Sequence, residues 1–510
     1  MLNHHKGIAR TGIIILLLIA TTIVILFLLP TPKPGIAAAT AATLTATKTN
    51  CLSPPANFSS PAVLARTAPA RLWKGWSYSH SISLTATPAS ALEDQPMDIR
   101  VSGLKPGEPI TLRAGMHDYK DRDWIATATY IADKEGEVDV SHMAPRYGSY
   151  SGVHALGLIW SMLPESVTNL HALLWAPKNN LYHIHLEALA DGHILTNRTL
   201  ERYSYRADAV KRTVVAENGL VGELYTPTTP GPHPAVLVLG GSEGGLHPQV
   251  EEAALLASHG YTALGLAYFQ GFGSNEAGVA GLPKVLENIP LEYFVKAADW
   301  LKQQPGVDSR HLAIMGWSKG AEAALITAAT FPKEFQAVIA FMPSSVVWSG
   351  ISYGPGPSGS SWTLHGKPLP FATPVINPAM FNDGKPLAFV SAYAAGLKET
   401  QAVEKAVIPV ERIAGPVLLI SASDDQIWPS PLMAQQIMRR LKARHHAYAD
   451  ESLCYAGAGH VILWPYRPTN SDRIAIPGGS FMFGGKPIAY AWADRDAWNK
   501  VLTFLHQSLE

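Results

Sequence analysis

The chain has 510 residues, too many for one simple core, so two folded domains are expected. Forty basic residues balance forty acidic ones, which removes the electrostatic case for a nucleic-acid partner. Only 16 % of residues are charged, while glycine and proline number 42 and 39, which suits a loop-rich enzyme.

Residues 1–11 carry Lys6 and Arg10 and no acid, and Gly12 to Leu29 is an uncharged run rich in Ile and Leu. At the helical rise such a run spans about 27 Å, just enough for a hydrocarbon core. The basic residues ahead of it predict a cytosolic N-terminus at 1–11 and a single-pass transmembrane signal anchor at 12–30. The catalytic part is then expected outside the cytoplasm. Cleavage near Ala37-Ala38-Ala39 would instead secrete it.

Residues 31–75 are rich in Ala, Thr and Pro without a helical or strand period, the pattern of a tether. Two sites, Asn57-Phe58-Ser59 and Asn197-Arg198-Thr199, fit the N-glycosylation pattern, which matters only in a eukaryotic source. The two cysteines, Cys51 and Cys454, make no disulfide framework. A single bridge between them is possible outside the cytosol. Cys51 falls in the tether and Cys454 in an apolar strand-like run, so a buried free thiol is expected at Cys454.

Over 76–210 the chain reads as short strands with Gly, Pro and Asp punctuation. Ile110-Thr-Leu-Arg-Ala, Trp124-Ile-Ala-Thr-Ala-Thr-Tyr-Ile and Tyr182-His-Ile-His-Leu alternate with period two. An all-β, immunoglobulin-like sandwich is expected. His117, His142 and His154 lack metal-ligand spacing and read as structural.

Over 211–510 strand and helix alternate, which argues a mostly parallel sheet. Ala235–Leu239, Tyr261–Ala267, Ala337–Phe341 and Pro416–Ser421 read as strands, and Leu291–Leu301 and Leu432–Leu441 as helices. A long insertion between Ser344 and Arg412 is placed to form a cap.

The stretch from His311 to Ile326 reads as an apolar strand, a sharp turn and an Ala-rich helix. Its turn, Gly316-Trp317-Ser318-Lys319-Gly320, fits G-x-S-x-G, the nucleophile elbow of an α/β hydrolase. A second copy, Gly240-Gly241-Ser242-Glu243-Gly244, is followed by Gly245 and Pro248. No helix begins on that serine, so Ser318 is the expected nucleophile.

The hydrolase chain order is Ser, then acid, then His. The acid is expected at Asp424 or Asp425, past the strand Pro416–Ser421. Asp425 is favoured because it lies deeper in the loop. The base is expected at His460, after a strand and a Gly-rich turn, whereas His445 and His446 end a helix and read as solvated. The oxyanion is expected on the backbone N–H of Lys319 and one from Gly241 or Ser242. No metal or cofactor is needed by this mechanism, and no ligand cluster is visible.

From about residue 80 to 510 the chain resembles the acyl-CoA thioesterase and bile acid-CoA:amino acid N-acyltransferase family. The resemblance is carried by Gly103-Leu-Lys-Pro-Gly-Glu-Pro-Ile-Thr-Leu-Arg113, Met162-Leu-Pro-Glu165, Leu291-Glu-Tyr-Phe294, Gly316-Trp-Ser-Lys-Gly320, Ile408-Pro-Val-Glu-Arg412, Asp424-Asp425, Gly459-His460, Gly484-Gly-Lys-Pro-Ile488 and Asp496-Ala-Trp498. It implies a β-sandwich before an α/β hydrolase, with the second Asp of the pair as the acid. Members with Cys at the elbow transfer the acyl group to an amine, and those with Ser hydrolyse it. Ser318 therefore implies hydrolysis of an acyl-CoA or a related small-molecule acyl thioester. The competing expectations are an extracytoplasmic carboxylesterase and a non-catalytic, membrane-tethered binding protein.

Overall fold

The computed structural model describes residues 50–55, 66–78, 81–118, 121–165, 180–247, 249–271, 279, 281–352, 358–381, 384–469, 472–476 and 479–510. Period-two alternation builds its first half. The strands are β1 (Ser83–Thr87), β2 (Ser90–Leu92), β3 (Asp98–Ser102), β4 (Pro109–His117), β5 (Asp123–Ile131), β6 (Val138–Asp139), β7 (Tyr147–Gly148), β8 (Leu163–Pro164), β9 (Leu181–Ala190) and β10 (His193–Tyr203). One sheet is ordered β1-β3-β6; the other is ordered β2-β10-β9-β4-β5-β7, with β8 also on β5. Leu84, Ile99 and Val101 of the first share one core with Ile110, Leu112, Trp124, Tyr130 and Ile184 of the second.

This part is not the all-β, immunoglobulin-like sandwich expected. β2 runs parallel to β10, with Ala91 opposite Arg202, so the larger sheet is mixed. A one-turn helix, α1 (Gly157–Trp160), is buried beside it. Alternation fixes which face a side chain takes and is silent on strand direction. Direction here follows polar anchoring: the Glu93 N–H donates to Tyr203 O, and the Arg202 guanidinium donates to Gln95 O.

The second half follows continuous apolar runs. The strands are β11 (Val210–Val215), β12 (Val221–Pro227), β13 (His233–Leu239), β14 (Thr262–Ala267), β15 (Ile289–Pro290), β16 (Val307–Trp317), β17 (Ala337–Phe341), β18 (Trp362–Leu364), β19 (Lys367–Pro368), β20 (Val417–Ala422), β21 (Glu451–Tyr455), β22 (Arg473–Ile476) and β23 (Gly479–Met482). The main sheet is ordered β11-β12-β14-β13-β16-β17-β20-β21. β12 is antiparallel to both its neighbours, and from β14 to β21 every pairing is parallel. Runs such as Val236-Leu-Val-Leu239 suit strands covered on both faces. Each fully buried Leu or Val contributes roughly 1.5–3 kcal/mol.

The cover comes from helices of matching pattern: α2 (Gln249–Ser258), α3 (Leu291–Lys302), α4 (Lys319–Thr330), α5 (Val390–Gly396), α6 (Thr400–Ala406), α7 (Ser430–Ala443) and α8 (Pro487–Leu509). Phe294 of α3, Leu325 of α4 and Ile437 of α7 pack into one core, and Leu255 of α2 and Val501 of α8 into another. The sheet is thus wound on both sides. The expected insertion holds the β18–β19 hairpin, α5 and α6. Between the two halves Arg467 is buried, donating to Glu93 Oε2 at 3.0 and 2.9 Å and lying 2.7 Å from Glu251 Oε2.

Two expectations about the N-terminal region are corrected. The segments 1–11 and 12–30 and most of the 31–75 tether, with Asn57, lie outside the described residues. Among the described residues no helix is long and apolar enough to cross a membrane. The longest, α8, places Asp494, Arg495, Asp496 and Lys500 among its apolar residues. A membrane-spanning helix is therefore not carried forward as part of the fold. Cys454 is not a free thiol: it is joined to Cys51 in a disulfide. The reason is local pairing. Leu52 donates its N–H to Cys454 O and accepts from Ala456 N–H, so residues at 51–53 lie along the outer edge of β21.

Candidate active site

The parallel sheet delivers its strand ends to one rim, and the turn after β16 is the sharpest there. Ser318 sits at φ 51° and ψ −115°, between the last residue of β16 and the first of α4. A non-glycine residue held in that region costs on the order of 1–3 kcal/mol and persists only when its surroundings impose it. They do. A Cβ on Gly316 would lie 2.3 Å from Gly320 O, and one on Gly320 would lie 2.2 Å from Gly240 O. Ser318 N–H donates to Phe341 O at 2.9 Å.

Three predicted residues converge. Ser318 Oγ lies 2.9 Å from His460 Nε2. His460 Nδ1 lies 2.9 and 3.0 Å from the two carboxylate oxygens of Asp425. Ser318 keeps 9 % of its surface accessible and His460 7 %, so both are nearly dry yet reachable. The His460 ring lies between the face of Phe483 and the edge of Trp428.

The two candidate acids separate clearly. Asp425 also accepts from the N–H groups of Ile427 at 3.0 Å and Trp428 at 3.1 Å, and from the Ser430 hydroxyl at 2.6 Å. Asp424 is turned to Gln426 Nε2 at 2.7 Å and Gly485 N–H at 3.0 Å. His446 differs from its expectation: it is not solvated, because its ring nitrogens meet Asp450 Oδ2 at 2.7 Å and Ile413 O at 2.8 Å. His445 is exposed. His117 and His142 pair with Asp123 and Asp139, and burial lowers the pKa of His154 to about 4.

The candidate oxyanion donors surround Ser318. Lys319 opens α4, where first-turn N–H groups lack intrahelical partners. Gly241 comes so close that a Cβ on it would lie 3.4 Å from Ser318 Cβ. Its N–H, however, donates to Glu243 Oε1 at 2.6 Å. Ser242 lies in a turn, and the next helix begins only at Gln249. Burial pushes the Glu243 carboxyl up to about 7, although the N–H groups of Gly241 and Glu243 and the nearby His460 pull it down.

Sequence reasoning missed what lies beneath the elbow. The Lys319 side chain is buried, with Nζ 2.9 Å from both oxygens of Glu322 and over the Trp362 ring. Glu322 also accepts from Trp348 N–H at 3.0 Å and Trp362 Nε1 at 2.7 Å. Burial lowers Lys319 and raises Glu322, and each opposes the other's shift. The available signal was a Lys and a Glu three apart in an otherwise apolar helix. Among the described residues no group of His, Cys, Asp and Glu is placed to hold a metal ion.

A hydroxyl bonded to an imidazole that is bonded to a carboxylate can perform nucleophilic acyl transfer. Comparison with known proteins narrows the substrate. A family model described as BAAT / acyl-CoA thioester hydrolase C terminal matches residues 289–510. One described as acyl-CoA thioester hydrolase/BAAT N-terminal region matches 94–217, and a dienelactone hydrolase family model matches 220–352. Acyl-coenzyme A thioesterase 1 of Rattus norvegicus is 32 % identical over 421 residues, covering 82 % of this chain and 94 % of that protein. The mitochondrial acyl-coenzyme A thioesterase 2 of Mus musculus is 32 % identical, covering 82 % of this chain and 87 % of that protein. Bile acid-CoA:amino acid N-acyltransferase of Mus musculus is 33 % identical, covering 84 % and 97 %. A mitochondrial enzyme among these relatives, with no spanning helix among the described residues, overturns the expected extracytoplasmic, membrane-anchored location.

Proposed function

Because the chain belongs to the acyl-CoA thioester hydrolase and N-acyltransferase family, we propose that Ser318, His460 and Asp425 are the triad with which it works. The protein is a serine hydrolase of acyl-CoA thioesters. The observation that supports the residue assignment is the unbroken relay from Ser318 Oγ through His460 to Asp425, each step near 2.9 Å.

In this reading Ser318 Oγ attacks the thioester carbonyl carbon while His460 Nε2 takes its proton. The carbonyl oxygen becomes an oxyanion held by the N–H groups of Lys319 and Gly241, with Ser242 the alternative to Gly241. The tetrahedral species expels the thiolate, and the imidazolium returns a proton to it. Water then attacks the acyl-serine, with His460 again as base, and releases the free acid. Asp425 holds the Nδ1–H tautomer and stabilises the imidazolium. We further propose the domain division at 76–210, the β-rich N-terminal domain, and 211–510, the catalytic domain.

The test compares hydrolysis of a long-chain acyl-CoA with a p-nitrophenyl ester of matched length by the full chain. The CoA thioester is expected to be preferred, and Ser318→Ala is expected to abolish both activities and fluorophosphonate labelling. Turnover of the ester alone would reassign the scaffold to another substrate. Full labelling of Ser318→Ala would remove Ser318 as nucleophile.

A further inference from the structure

A nucleophile elbow needs its oxyanion donors vacant when the carbonyl arrives, and here one of the two candidates for the second donor is taken. Gly241 N–H, beside Ser318, donates to the Glu243 carboxylate at 2.6 Å. Hydrogen bonds to an ionised acceptor are shorter and stronger than neutral ones. The second carboxylate oxygen lies 2.8 Å from where a Gly241 Cβ would stand, the same point that lies 3.4 Å from Ser318 Cβ. The carboxylate is therefore packed against Gly241, close to the nucleophile. Glu243 as a residue is half-buried.

The carboxylate cannot share this position with an oxyanion. Two negative charges would compete for one N–H at contact distance in a nearly dry site, where charge repulsion is poorly screened. A neutral carboxyl binds the N–H more weakly and does not repel the oxyanion.

We propose that Glu243 gates the oxyanion hole: its carboxylate holds the Gly241 N–H in the resting enzyme, and the thioester carbonyl takes that donor only once Glu243 is protonated. The proposal rests on the reading of Ser318, His460 and Asp425 given above. Glu243 is here a positioning residue that acts through the Gly241 amide.

The surroundings suit such a gate. Burial places Glu243 near neutrality, at about 7. His460, bonded to Asp425, is near enough for its charge to pull that value down. From the segment after β14, Tyr268 donates its hydroxyl to Gly240 O at 2.7 Å and Gly241 O at 3.1 Å, with Glu322 beyond it. In the same loop His247 is turned to Glu251 at 3.8 Å. Glu243 must be protonated, so its ionisation gives an alkaline limb.

The experiment is the pH profile of kcat/KM for acyl-CoA hydrolysis by wild type, Glu243→Gln and Glu243→Ala, each with and without Ser318→Ala. Wild-type kcat/KM is expected to fall above about pH 7, approaching tenfold per unit. Both Glu243 variants are expected to lose this alkaline fall, exceeding wild type about 100-fold at pH 9. An unchanged alkaline fall in the variants overturns the gate, as does a uniform loss at every pH. Turnover that survives Ser318→Ala overturns the site reading instead. Wild type alone supplies an independent measurement with a trifluoromethyl ketone, whose hemiketal oxyanion needs the same donor. Its Ki is expected to weaken about tenfold per unit above pH 7. A Ki flat from pH 7 to 9 overturns the proposal even if neither variant folds.

Discussion

Asp425 meets the His460 ring with both carboxylate oxygens, at 2.9 and 3.0 Å, and thereby fixes which ring nitrogen carries the proton. Asn in its place can present an N–H to Nδ1 and stabilise the wrong tautomer. Asp425→Asn is expected to lower kcat about 10³–10⁴-fold with little change in KM. The Asp424 carboxylate bonds Gln426 and Gly485 rather than His460, so Asp424→Asn is expected to cost less than about tenfold. Steady-state kinetics on the two variants decide the assignment, and equal losses would undo it.

The Lys319–Glu322 pair is expected to hold the elbow to the insertion above it. Glu322→Ala leaves a buried ammonium uncompensated and the Trp348 backbone N–H and the Trp362 indole N–H unmet. It should destabilise the protein by about 3–5 kcal/mol. Glu322→Gln keeps an acceptor for Trp362 Nε1 and should cost less. Urea unfolding followed by tryptophan fluorescence would read both, and a loss under about 1 kcal/mol for Glu322→Ala would contradict the argument.

The Cys51–Cys454 bridge is expected to add stability without taking part in the chemistry. Reduction, or Cys454→Ser, should lower unfolding free energy by about 2–4 kcal/mol. Labelling of Ser318 by a fluorophosphonate should persist below the lowered melting temperature. Loss of labelling in the folded, reduced protein would show that the bridge shapes the histidine loop that follows β21.

Glu252 is fully buried, and among the described residues neither carboxylate oxygen has a hydrogen-bond partner. Burial holds its pKa well above the ordinary 4.5, beyond what the Arg467 charge offsets. A raised acid contributes stability that is complete below its unfolded pKa and is lost as pH rises through its folded one. The melting temperature should therefore fall between about pH 5 and pH 8, and Glu252→Gln should flatten part of that fall. An unchanged slope would place Glu252 outside the titration.

The elements that positioned the triad were legible because strong local signals agree there. A strand of apolar residues, two glycines flanking a serine and an Ala-rich helix leave one way to fold the Ser318 turn. Asp425 and His460 follow the ends of β20 and β21, so chain order and strand ends made them the candidates. Other features depend on distant contacts. Lys319 and Glu322 are buried by Trp348 and Trp362, which lie in the insertion and not in their own helix. Glu243 read as a loop carboxylate until its bond to Gly241 was seen. The direction of β2 is invisible to alternation, and the pairing of Leu52 with β21 lies in a stretch whose composition has no period.

The disulfide joins positions 403 residues apart in sequence. A protease that cuts any loop between Cys51 and Cys454 therefore leaves two pieces still covalently joined. The insertion before α7 can be nicked, and the nicked chain will migrate as one band without reductant and as two with it. Such a clipped form keeps β20, β21 and the histidine loop tethered beside the elbow, so the enzyme can survive a break in its backbone that would separate an unbridged chain.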